Sequence, residues 1–206
     1  TAIYLTLYMT IIPFFIGGVL GFIAGLLLVL TGPRGILENR LVFFVLDKVT
    51  SIFRAIPFII LLALINPFTR IIVGTGIGPT AALVPLSLAV FPFFARQVQV
   101  VLSELDRGVI EAAQASGATF WDIVGVYLRE GLPDLIRVTT VTLISLVGET
   151  AMAGAIGAGG LGNVALTYGY QRFNHDVTIL ATILILLLIF FIQFVGDFLT
   201  RKISHR

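Results

Sequence analysis

The chain has 206 residues, 58% of them hydrophobic and only 12% charged, with a mean hydropathy of +1.06. A water-soluble domain of this length needs a polar surface that so few charged residues cannot supply, so the composition excludes one and reads as an all-α membrane protein. The absence of cysteine removes disulfide and thiolate-metal chemistry. The pI near 9.2 comes from basic residues scattered singly at segment ends, which suits lipid headgroups and topology rather than nucleic acid.

Opening on Thr1, the sequence is expected to lack some N-terminal residues, and its first apolar segment is too long for the core of a cleavable signal. Five spanning helices are predicted in chain order. The first covers about 3–30, with a kink at Pro13, and the second about 46–66, with Pro57 inside it and Arg54 near its middle. The third covers about 80–102 with Pro85 and Pro92, the fourth about 133–156 with Glu149 inside, and the fifth about 177–198. Each has the roughly 20 residues that a helix needs to cross about 30 Å of hydrocarbon. No soluble domain is appended, so 1–206 reads as one transmembrane domain.

Orientation follows from the basic residues. One set of segment ends carries Arg34, Arg40, Arg96, Arg107, Arg129, Arg137, Arg201, Lys202 and Arg206, and the opposite set only Arg70 and Arg172. The richer side is cytoplasmic by the positive-inside bias, which places the N-terminus outside and the C-terminus inside.

The connection at about 107–132, between the third and fourth spans, is then cytoplasmic, and it is heavily punctuated. Gly108 reads as a helix stop. Residues 109–116 read as a short helix with Glu111 in its first turn, where a carboxylate suits the helix dipole. Gly117 breaks it, and Thr119 with Asp122 forms a capping-box pattern for a second short helix that ends before Gly131, with Pro133 opening the next span. Alanines at 112, 113 and 115 let another backbone come close. On local physics an amphipathic hairpin on the inner leaflet and a docking surface fit equally well.

The segment "EAA" at Glu111 to Ala113, followed by Gly117 and by Leu132 and Pro133, resembles the EAA loop of permeases in bacterial ABC importers. "FRAIPFIILL" from Phe53, "NPFTRIIVGTGIG" from Asn66, "LISLVGETAMAGAIGAGGLG" from Leu143 and "IQFVGDFL" from Ile192 are similar to the methionine importer branch of that family, so the resemblance covers nearly the whole chain. It implies a type I ABC importer permease fold in the bacterial inner membrane. It further implies a homodimer enclosing the path, a separate ABC ATPase that carries the ATP and Mg, and an extracytoplasmic substrate-binding protein. The loop becomes a coupling helix: Glu111 meets a basic group on the ATPase, Ala112, Ala113 and Ala115 pack closely, and Gly117 sets the bend. The cargo implied is methionine, with another amino acid or glycine betaine as the alternative. Leu132 and Pro133 stand three residues later than in the common pattern, which puts the exit of the loop in question.

Other motifs carry less. Gly157, Gly159 and Gly162 fit G-x-G-x-x-G, but no strand precedes them and the topology places them outside, so a hinge or close packing replaces nucleotide binding. Lys48 follows Asp47 and Lys202 follows Arg201, so no phosphate-cradling Gly-Lys pair exists and no cofactor is expected on this chain. His175 and His205 lack metal-ligand spacing. Arg54 and Glu149 inside spans are candidates for the translocation path or for a mutual ion pair. Phe68, Met152, Gly157, Gly159 and Gly160 are candidates for an external gate. An ion-coupled carrier using Arg54, Glu149 and Asp197 is the rival mechanism.

Overall fold

The computed structural model describes residues 1–204, so His205 and Arg206 lie outside the described residues. The elements in order are α1 (Ala2–Thr31), α2 (Arg40–Ala55), α3 (Phe58–Val73), α4 (Pro79–Ser103), α5 (Arg107–Ala115), α6 (Phe120–Ala153), α7 (Gly160–Asn163) and α8 (His175–Ser204). Two π-helical segments, Gly154–Ala158 and Val164–Tyr170, flank α7.

The helices α1, α4, α6 and α8 are each long and apolar enough to cross a membrane. The tightest pairing is α1 on α4. Gly17, Gly21 and Gly25 stand four apart on one face of α1, and a Cβ on any of them would collide with the carbonyl of Ser87, Phe91 or Ala95 respectively. Apolar side chains gain nothing from leaving lipid for another helix, so such close backbone packing carries the association. Around this seam Met9, Leu28, Leu86, Val98, Leu102 and Leu146 are fully buried, and Phe14 meets Phe94 with ring centroids 6.0 Å apart. α8 shows the reverse pattern: Ile179, Leu180, Leu187, Phe190, Phe191 and Phe194 all face outward. Without a bilayer that surface would aggregate; in lipid it is the ordinary outer wall.

Two sequence expectations require correction. The second span is not one helix: α2 and α3 meet at an angle of 109°. The cause is Pro57, which lacks an N–H and pushes Ile56 into extended backbone at φ −77°, ψ 120°. α3, with 16 residues, reaches about 24 Å, so it is short of the hydrocarbon thickness by itself and only the bent pair together has the length and apolarity of a span. α2 is pinned to the bundle by Arg96 of α4, whose Nη2 donates to Asp47 Oδ1 at 2.8 Å and to Ser51 Oγ at 2.9 Å.

The second correction concerns the loop exit. No break occurs at Gly131: α6 runs 34 residues straight through Gly131 and Pro133. At about 51 Å it outreaches the hydrocarbon layer and projects beyond it. Gly131 persists inside the helix because it is buried against Leu102, where a Cβ would meet the leucine methyl at 2.7 Å.

Candidate functional site

α5 is held as a separate nine-residue unit by caps at both ends. Asp106 accepts from the Gly108 N–H at 2.8 Å, so the helix begins at Arg107, earlier than the sequence suggests, and Gly108 lies within it. Glu111 therefore stands in the second turn, not the first. At the far end Gly117 takes a left-handed conformation at φ +77°. The Ala118 N–H reaches the Ala113 carbonyl at 3.1 Å and the Gly117 N–H the Gln114 carbonyl at 3.0 Å. This is a Schellman closure, which needs glycine at that position.

The predicted capping box opens α6. Thr119 N–H donates to Asp122 Oδ2 at 2.8 Å and the Asp122 N–H donates to Thr119 Oγ1. The Thr119 hydroxyl, then the Thr119 N–H, hold the Asp122 carboxyl below the usual carboxylate range. The turn between α5 and α6 is thereby closed by hydrogen bonds on both sides, and α6 continues from it for 34 residues.

Ile110 is buried and anchors α5 in the same cluster as Ile123, Val124 and Tyr127. The face beside it, with Arg107, Glu111 and Gln114, closes a recess against residues 33–36. The opposite face presents Ala112 and Ala115, both exposed, while Ala113 is half-buried and Gly117 exposed. Of the five predicted coupling residues, then, two face outward, Gly117 turns the chain, Ala113 sits at the edge of the body, and Glu111 lies on the flank.

The gate candidates do not form one cluster. Arg54 is exposed at the last turn of α2, a full length of α3 away from the connection at 74–78. Among the described residues the ion pairs are Arg96–Asp47 and Arg137–Asp134, so the Arg54–Glu149 pair does not form. Glu149 is half-buried and its Oε2, itself out of reach of solvent, has no hydrogen-bond partner, while Arg172 lies over the Tyr168 ring at 4.7 Å. Phe68 is exposed on α3 and Met152 on α6.

The glycine run folds as an elbow between α6 and α8. Gly157, Gly159 and Gly160 have φ of +98°, +85° and +80°, and Ile156 and Gly157 leave helical geometry within the first π segment. Gly157 is exposed beside Ile77, whereas Gly160 is packed against Thr6 and Met9. Thr6 Oγ1 also accepts from the buried Leu161 N–H at 2.9 Å, tying the elbow to the start of α1. Gly154 and Gly162 have backbone against them where a Cβ would stand. The elbow is exposed around Gly157, whereas Gly154, Gly160 and Gly162 are buried against neighbouring atoms.

Sequence reasoning missed three features. The glycine seam of α1 was legible as small residues every fourth position. The Arg96–Asp47 clamp joins residues 49 apart and the recess under α5 joins three segments, and neither leaves a local pattern.

A bundle of long apolar helices with one short, capped helix set between two of them is the build of a multi-pass membrane subunit. The chain belongs to the family described as binding-protein-dependent transport system inner membrane components, whose model matches residues 17–205. It is 49% identical over 202 residues to the probable D-methionine transport system permease protein MetI of Pasteurella multocida, covering 98% of this chain and 93% of that one. It is 50% identical over 181 residues to the methionine import system permease protein MetP of Bacillus subtilis, covering 87% and 82%. A chain in an inward-facing structure of the MetNI methionine ABC transporter superposes with a TM-score of 0.95 at 46% identity, covering 98% of this chain and 94% of that chain.

Proposed function

We propose that this chain is the permease subunit of an ATP-driven methionine importer, lining the translocation path and taking its drive from a separate ATPase through α5. The observation that carries the reading is α5 itself. It is short, capped at both ends, bare of bulk on its outward face at Ala112 and Ala115, and joined by a rigid turn to the long α6. No Gly-Lys phosphate loop occurs in the sequence, so ATP and Mg belong to the partner. Methionine as cargo is supported by relatives and a structural neighbour described as methionine transporters at 46–50% identity.

The working unit is two copies of this chain, two ATPase subunits and an extracytoplasmic binding protein that delivers the amino acid. The ends rich in arginine face the cytoplasm and the N-terminus faces outside. ATP-driven closure of the ATPase pair carries the two α5 helices together, α6 relays the shift, and the exposed part of the elbow near Gly157 and Met152 yields. Ala112 and Ala115 admit the ATPase backbone, Glu111 bounds the contact at its edge, and Ala113 and Gly117 fix the helix in place.

Two variants test this. Glu111→Arg and Ala113→Trp are expected to insert and dimerise as wild type does, while methionine uptake and substrate-stimulated ATP hydrolysis in proteoliposomes fall together. Full coupled uptake in both variants removes α5 from the coupling path.

A further inference from the structure

Where α5 meets the bundle, a cavity of about 440 Å³ opens between residues 33–36, the last turns of α1 and α4, and the start of α6. Its charged lining is Arg34, Arg107 and Glu111. Asp106 is not available to it, being engaged in capping α5. Tyr127 lines the cavity while only 8% exposed. Its phenol is within reach of the Arg107 charge, and its hydroxyl makes no hydrogen bond to the described residues. Arg34 is also held unusually: it adopts φ +63°, stabilised by its N–H donating to Glu38 Oε2 at 3.0 Å.

The position identifies the ligand class. Thr31 ends α1 and Ser103 ends α4, so the cavity lies at one end of two membrane-length helices, and Val29 and Leu102 form an apolar side to it. Two guanidiniums and one carboxylate leave a formal charge of +1, which matches a single negative charge. Guanidinium forks suit phosphate oxygens, and the phenol supplies a further donor. We propose that this recess binds the phosphodiester group of a membrane phospholipid, held by Arg34, Arg107 and Tyr127. The bound head then props α5 against residues 33–36, so lipid occupancy sets the resting position of the coupling helix. The inference requires the chain to sit in a bilayer; it does not depend on α5 touching an ATPase.

The experiment is native mass spectrometry of the permease-containing complex released from nanodiscs of phosphatidylglycerol or phosphatidylethanolamine, with and without millimolar inorganic phosphate. Wild type is expected to retain phospholipid through detergent exchange whether or not phosphate is present. Arg34→Ala and Arg107→Ala each weaken retention by roughly fivefold, from about 1 kcal/mol per basic residue near a headgroup. Tyr127→Phe weakens it less. Equal retention in the Arg34→Ala, Arg107→Ala double variant overturns the proposal, and displacement of the lipid by inorganic phosphate overturns the phosphodiester assignment. Should the double variant fail to assemble, a phospholipid carrying a photoreactive headgroup decides the matter on wild type: labelling of residues 33–36 or 107–114 upholds the site, and labelling elsewhere only overturns it.

Discussion

Gly21 shows how single positions hold this molecule together. A Cβ there would lie 2.6 Å from the Phe91 carbonyl oxygen, which belongs to backbone and cannot step aside. Gly21→Leu is therefore expected to separate α1 from α4, at a cost above the 1–3 kcal/mol usual for overpacking, and to abolish accumulation of folded permease on a fluorescence size-exclusion trace. Arg96 and Asp47 act at the same scale. Their side chains are 21% and 25% exposed, so the pair is partly desolvated and removing one member leaves the other charge unmet. Asp47→Asn is expected to destabilise purified permease by roughly 1–3 kcal/mol, seen as a lower thermal midpoint. Exchanging the two residues recovers part of the loss; an unchanged midpoint in Asp47→Asn would show that α2 is held by packing alone.

At the scale of elements, the two capped helix ends of the loop make separate contributions. Thr119→Ala removes one side of the capping box and is expected to cost about 0.5–2 kcal/mol. Gly117→Val forces a branched side chain into φ +77° and adds about 1–2 kcal/mol of strain. Both variants should raise amide hydrogen exchange across residues 107–122 with little change in α1 or α4. Exchange that stays at the wild-type level would mean the turn is held from elsewhere. The capping box, the bend at Gly117 and the four long crossings were legible in the sequence, because caps are local and apolar length is decisive in lipid. The exit of the loop was not. Gly131 and Pro133 look like punctuation, yet tertiary contact with Leu102 and the tolerance of helices in lipid carry α6 through both. Pro57 misled in the opposite direction: placed inside a single span at about 46–66, it turns the chain by 109°. Hydropathy sums residues and is blind to the direction of the chain between them.

For the whole molecule, the proposed coupling requires the packing to act as a lever. The ends of α1, α4 and α6 are fastened to one another, α5 hangs from Ile110 on a rigid turn, and the elbow at the opposite end is clamped except near Gly157. The rival of ion coupling needs Arg54, Glu149 and Asp197 to cooperate. Arg54 stands in the last turn of α2, Glu149 lies near the elbow, and Asp197 accepts from Gln193 on α8, beside Gly196, which packs on Thr140 more than two turns of α6 away from Glu149. In the proposed importer a separate ATPase grips the outward face of α5. Because the sequence has no cysteine, Ala112→Cys gives a single thiol on that face, and cross-linking it in actively transporting proteoliposomes tests the claim most directly. The account predicts an adduct between permease and ATPase that forms in step with loss of uptake; transport that continues with position 112 accessible and no adduct at any stage of the cycle would contradict it.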